Sequence, residues 1–180
     1  DANPDPKLAA HDIRETFGRM AMNDYETAAL VAGGHTFGKS HGAASESYKG
    51  PDPEASRLQD QSTGWNSGYK SGKGVDAISS GIEGAWTQNP IKWDMGYLDC
   101  LYGHDWELTK SPAGAHQWTP KKNGQKIKMV PDAHQKGVLH PPMMQTTDIS
   151  MKVDPSYGPI TKHFHQNPKE FHDAFARAWF

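Results

Sequence analysis

With 180 residues and a formal net charge of −2, the chain carries no basic arm that would select nucleic acid or an acidic membrane surface. Only 35% of its residues are hydrophobic and the mean hydropathy is −0.80, low for a self-sufficient globule, while 18 glycines and 13 prolines predict many turns and long connections. A single cysteine excludes an intrachain disulfide framework, and no apolar run has the layout of a membrane span or a secretory signal.

In chain order, a helix is expected from Pro6 to about Met22. Ala9, Ile13, Phe17 and Met20 recur on one face, and Pro6 suits a first turn. After the tight Asn23-Asp24 junction, either residue can cap a second helix, with Glu26 in its first turn and the compact run Thr27–Ala32 as its body. Gly33 and Gly34 then remove side chains beside His35, which suits close approach of something flat. From Ala44 to Gly74 serine, glycine, proline and charge dominate, with Trp65 and Tyr69 as the large anchors; so long a loop is functional or packed against a neighbour. A short helix is expected over Asp76–Trp86, broken at Asn89-Pro90, and another over Met95–Tyr102, with Met95, Leu98, Cys100 and Leu101 as apolar positions. Trp106–Pro131 reads as loop with a small hairpin around Lys122-Asn123-Gly124. Asp154-Pro155 opens a helix to about His165 through Tyr157, Ile160 and Phe164. Asn167-Pro168 caps the last one, with Phe171, Ala174, Phe175, Ala178 and Trp179 as its stripe. No internal repeat is visible, and the fold class is mainly α with long loops.

His35 has two readings. A lone histidine at a helix end more often hydrogen-bonds nearby carbonyls and complements the helix dipole than it binds a metal. A zinc site would need three or four ligands at finger-like or helical spacing, which His35, His41 and the lone Cys100 do not offer. Haem asks less of the protein, because the porphyrin supplies four nitrogens and one axial imidazole completes the site. Haem is therefore the better metal hypothesis.

The run GGHTFGKSHGA (Gly33–Ala43) resembles the proximal-histidine motif of class I haem peroxidases, and most of all that of bacterial and fungal catalase-peroxidases. DIRETFGRMAMND (Asp12–Asp24), SSGIEGAWT (Ser79–Thr87), KWDMGYLDCLYGHDWELTKSPAGAHQW (Lys92–Trp118) and TTDISMKVDPSY (Thr146–Tyr157) resemble the same family in the same order. The likeness covers nearly the whole chain and is weakest over Thr119–His140. The long connection from His35 to Trp86 also matches, since catalase-peroxidases carry an extra segment there that shorter class I members lack.

The resemblance implies a haem-peroxidase-like helical domain of which residues 1–180 form the proximal half. The distal half, with its arginine, tryptophan and histidine, is expected upstream, and a haem-free C-terminal domain downstream. The opening Asp1-Ala2-Asn3-Pro4-Asp5-Pro6, without an initiator methionine, reads like an interior loop in keeping with this. The implied cofactor is heme b, with His35 as the axial iron ligand and Asp148 receiving both its second ring N–H and the indole N–H of Trp86. A carboxylate behind a ligating imidazole fixes its tautomer and raises its basicity. Without the family context, Trp86 would be a core residue and Asp148 a helix cap. Gly34, Phe37, Gly38, Lys39, Ser40 and His41 match the proximal side and the propionates, and Ser80 a propionate and channel position. Lys39 and His41 read otherwise as solvated loop residues. Met20 matches a methionine crosslinked to an upstream tyrosine; otherwise it is an ordinary core methionine. The implied activity is decomposition of hydrogen peroxide and oxidation of small organic electron donors through ferryl haem, in a soluble, intracellular homodimer with no nucleic-acid or membrane partner. A one-activity class I peroxidase is an alternative that the long His35–Trp86 connection and Met20 count against. A non-catalytic haem-binding fragment is another, favoured by the missing distal residues.

Overall fold

The computed structural model describes residues 3–60, 66–121 and 127–180. Trp65 and the hairpin expected around Lys122-Asn123-Gly124 lie outside the described residues. The described part is mainly α. Helix α1 (Pro6–Gly18) starts on Asp5, whose carboxylate accepts from the Lys7 amide at 2.8 Å. It ends four residues before Met22, because the chain turns there and Ala21 takes a φ of 60°. Its buried positions are Ala10 and Ile13, with Phe17 packed alongside, so the apolar face is rotated from the expected one. Met20 is left 56% exposed, which removes the core reading of that residue.

Helix α2 (Asp24–Gly34) begins with a capping box. Asn23 Oδ1 accepts from the Glu26 amide at 2.9 Å, and Glu26 returns the bond to the Asn23 amide at 3.0 Å. Thr27, Ala28, Ala29, Ala32 and Gly33 are all buried, so α2 is a central rather than an amphipathic helix. Helix α3 (Gly96–Gly103) agrees with the expected span to within a residue. Helices α4 (Thr146–Val153), α5 (Tyr157–Gln166) and α6 (Pro168–Trp179) follow, the last two where the apolar stripes place them. On α6, however, Trp179 is 74% exposed and the buried stripe stops at Ala174, with Phe175 and Ala178 half-buried. The core gathers Leu98, Leu101, Met144, Met151, Tyr157, Phe164 and Phe171 around the alanines of α2. Each large apolar side chain buried this way contributes roughly 1.5–3 kcal/mol.

Two expectations fail in instructive ways. Residues 76–86 are not helical beyond a 3-10 turn at Gly74–Asp76. Gly84, with φ 125°, instead pairs through its amide and carbonyl with Ser40 (3.0 and 2.9 Å). Two glycines, Gly81 and Gly84, weaken helix there, and a long-range bridge replaces it. The expected loop after Trp106 holds an antiparallel hairpin, β1 (Trp106–Lys110) with β2 (His116–Pro120), in register from Trp106 opposite Pro120 to Lys110 opposite His116. Gly114, at φ 90°, makes the turn. A second short pair joins β3 (Val130–Pro131) to β4 (Leu139–His140). The long loop after Ala44 contains 3-10 turns at Glu46–Tyr48, Pro53–Ala55 and Leu58–Asp60, and Tyr69 packs edge-on against Tyr48 at 5.2 Å. Among the described residues no helix is long and apolar enough to cross a membrane.

Candidate functional site

His35 is the C-cap of α2, its amide bonded to the Val31 carbonyl at 3.0 Å. Asp148 stands three residues into α4, where its carboxylate also caps the helix by accepting from the Gln145 amide. The two meet: His35 Nδ1 lies 2.7 Å from Asp148 Oδ1. Trp86 Nε1 donates to Asp148 Oδ2 at 2.7 Å, and the indole stacks on the imidazole with centroids 4.2 Å apart and planes 18° apart. Tyr97, in the first turn of α3, donates its hydroxyl to Oδ1 at 2.8 Å and sets its ring edge-on to His35 at 5.8 Å. Together with the Gln145 amide at 2.7 Å on Oδ2, each carboxylate oxygen thus holds two hydrogen bonds.

The electrostatics follow from that geometry. Burial alone would push Asp148 up, but the His35 charge, its hydrogen bond, the Gln145 amide and the Tyr97 hydroxyl outweigh it and hold the carboxyl below the usual aspartate range. For His35, burial disfavours the charged form and the neighbouring Asp148 carboxylate overrides it, so its pKa is raised. Burial and the same carboxylate push the Tyr97 phenol well up, which keeps it a neutral donor. With Nδ1 committed to Asp148, the remaining ring nitrogen, Nε2, bonds to none of the described residues, and the side chain keeps 27% of its surface accessible. A methyl group on Gly34 would meet nothing within 4 Å, and Phe37 is 46% exposed beside it. Among the described residues no group of three or more His, Cys, Asp or Glu could hold a bare ion. A metal on Nε2 would therefore have one ligand among the described residues, which suits a metal macrocycle that brings four of its own. The residues present fit such a group.

A second set of predicted residues gathers along the Ser40–Gly84 bridge. The Lys39 ammonium pairs with Glu83, whose other oxygen accepts from the Gly42 amide at 2.7 Å, so Lys39 is not a solvated loop cation. The His41 amide donates to Ser79 Oγ at 3.1 Å and the Ser80 amide to the His41 carbonyl at 3.2 Å. The His41 ring lies 5.6 Å from that of His134, and both line a cavity of about 540 Å³; burial, with Lys39 nearby, lowers the His41 pKa. Ser80 Oγ turns back on the Ile82 carbonyl at 3.3 Å. Gly38 holds φ 78° and its amide donates to the Pro90 carbonyl at 2.7 Å. Met20 belongs to neither set: among the described residues no hydrogen bond or ring contact links it to them.

A family model described as Peroxidase matches residues 1–167. The chain belongs to the peroxidase family. It is also 62% identical over 181 residues to the catalase-peroxidase of Koribacter versatilis, covering 100% of this chain and 24% of that protein. The catalase-peroxidases of Caulobacter sp. and Maridesulfovibrio salexigens are each 61% identical, over 100% and 99% of this chain and 24% and 25% of their own lengths. The chain spans about a quarter of the length of the curated relatives it matches.

In this peroxidase-family chain, the structure brings His35 and Trp86, 113 and 62 positions away in sequence, together on Asp148. It adds two participants that motif reasoning passes over. Tyr97 is not among the apolar positions read on the 95–102 helix, and no local pattern marks its hydroxyl, because its partner is 51 positions away. Glu83 carries a weak signal, a lone acid among glycines and small residues, but nothing ties it to Lys39 until the bridge forms.

Proposed function

We propose that this chain supplies the proximal side of the haem site of a catalase-peroxidase, which decomposes hydrogen peroxide and oxidises small organic donors. The observation that carries the reading is the His35–Asp148 bond at 2.7 Å, which leaves Nε2 as one free imidazole nitrogen for an axial position. Near 60% identity along the whole chain to proteins named catalase-peroxidase favours this over a one-activity peroxidase. The group is heme b, and when bound it would supply the redox chemistry that cleaves a peroxide O–O bond.

The chain's own residues have separate tasks. Asp148 holds the Nδ1 proton, fixes the tautomer of His35 and raises the basicity of Nε2. Trp86, stacked on His35, gives its N–H to the same carboxylate and stops the imidazole from rotating. Gly34 and Gly38 leave room for a flat group and Phe37 offers it an apolar face. Lys39, Ser40, His41 and Ser80 would hold the propionates, with Glu83 balancing Lys39 until they arrive. Met20, exposed in the turn after α1, is available to a tyrosine outside this chain. The working enzyme also includes the remainder of the polypeptide, as a homodimer in an intracellular, soluble setting.

His35→Ala in the full-length protein tests the reading. Haem retention, followed by the Soret band during gel filtration, should fall at least about tenfold, equivalent to roughly 1.4 kcal/mol of binding. An unchanged band and affinity would remove His35 from the iron.

A further inference from the structure

Asp148 Oδ1 accepts two hydrogen bonds of nearly equal length, from His35 Nδ1 at 2.7 Å and from Tyr97 Oη at 2.8 Å. We propose that Tyr97 is a positioning residue that sets how much of the Asp148 charge reaches His35, and through it the axial group. The proposal rests on the reading of His35 as the haem ligand.

A carboxylate offers about four lone-pair sites. Here all are used, because Trp86 and the Gln145 amide occupy Oδ2 just as His35 and Tyr97 occupy Oδ1. The carboxylate cannot turn without losing bonds on both oxygens. Asp148 is fully buried and Tyr97 is 1% exposed, so bulk water does not replace a missing donor readily. Two donors on one anionic oxygen compete for the same charge. The Tyr97 hydroxyl therefore weakens the pull of Oδ1 on the Nδ1 proton of His35, and low local polarity enlarges that effect. Without the hydroxyl, His35 becomes the lone donor to Oδ1. Its proton shifts toward the carboxylate, the ring gains imidazolate character, and Nε2 donates more strongly to iron.

A tyrosine that only fills space in α3 would make no such difference, because phenylalanine preserves its ring. The test uses the haem-loaded full-length protein as wild type, as Tyr97→Phe, and with 3-fluorotyrosine at position 97. Two properties are read: the ferric/ferrous equilibrium by spectroelectrochemistry and the ferrous iron–histidine stretch by resonance Raman. For Tyr97→Phe the stretch should rise and the equilibrium should move about three- to tenfold toward ferric, the range for one hydrogen bond to a charged group partly redistributed. The fluorinated phenol, a stronger donor of similar shape, should move both readouts the other way, and it decides the matter if the phenylalanine variant does not fold. Readouts unmoved, or moved in the opposite sense, overturn the role of Tyr97 while leaving His35 as ligand. A wild type without a histidine–iron stretch overturns the underlying site reading, and this inference with it.

Discussion

Asp148 shows how two readings of one residue can both hold. Its position after Thr146-Thr147 marks it as a helix cap, and it does accept from the Gln145 amide. The same carboxylate faces His35, Trp86 and Tyr97, because the first turn of α4 brings it within hydrogen-bond reach of the C-cap of α2 and the first turn of α3. Asp148→Ala would leave these donors buried without an acceptor. We expect a loss of about 3–5 kcal/mol in the haem-free protein, the scale for breaking a buried charged network, read from the shift in urea midpoint. A loss under about 1 kcal/mol would mean that the surrounding side chains re-pair or that water enters. Which residue meets Asp148 was legible only in part: His35 and Trp86 carry a motif, whereas Tyr97 carries none, and a hydroxyl in a mid-core position advertises no partner.

At the scale of elements, helices with caps and periodic stripes were the most readable. The Asn23/Glu26 box, Pro6 and Pro168 mark helix starts through local chemistry, and α3, α5 and α6 lie close to their expected spans. The segment over 76–86 was not readable, because its backbone bonds go to residues far away in sequence: Gly84 to Ser40, Ser79 and Ser80 to His41, Glu83 to the Gln117 side chain and Ala85 to Met143. The β1–β2 hairpin escaped for a related reason: its strands are short and its inward positions are few. Contact between α2 and α6 depends on Gly33, where an added methyl group would lie 2.1 Å from the Phe175 ring. Gly33→Ala should cost about 1–3 kcal/mol by overpacking, seen as a lowered melting temperature. Gly34→Ala faces open space and should stay within about 0.5 kcal/mol in the haem-free protein. Equal effects at the two positions would contradict this packing.

Across the whole molecule, Arg14 ties the first helix to distant chain. Its guanidinium bonds Asp24 at the start of α2 at 3.0 Å and Asp154 between α4 and α5, and it lies 4.4 Å over the Tyr157 ring. Ser150 adds a bond from α4 to the Pro6 carbonyl at 2.6 Å. Burial would raise Asp154, but Arg14 and the Tyr157 and Ser156 amides hold it below the usual aspartate value. A carboxyl depressed in the folded state stabilises above its unfolded pKa of about 4, and that stabilisation is lost as pH falls through the folded value. Arg14→Met should therefore cost about 1–2 kcal/mol at pH 7, a figure kept small because Arg14 is about one-third exposed. The gap from wild type should narrow as pH drops below about 4. Denaturant titrations at pH 7 and pH 3 check this, and a gap that is constant with pH would assign the effect to packing on Tyr157.

The sequence by itself determined the helix starts, the mainly α class and the residue types of the candidate centre, because caps, stripes and the HTFGKSH run act over a few neighbouring positions. The tertiary structure decided the bridge that replaces a helix over 76–86, the pairing of Lys39 with Glu83, and the arrival of Tyr97 at Asp148. Each of these joins groups more than 40 positions apart. Such pairs form only when packing has already brought their elements together, so no local pattern encodes them.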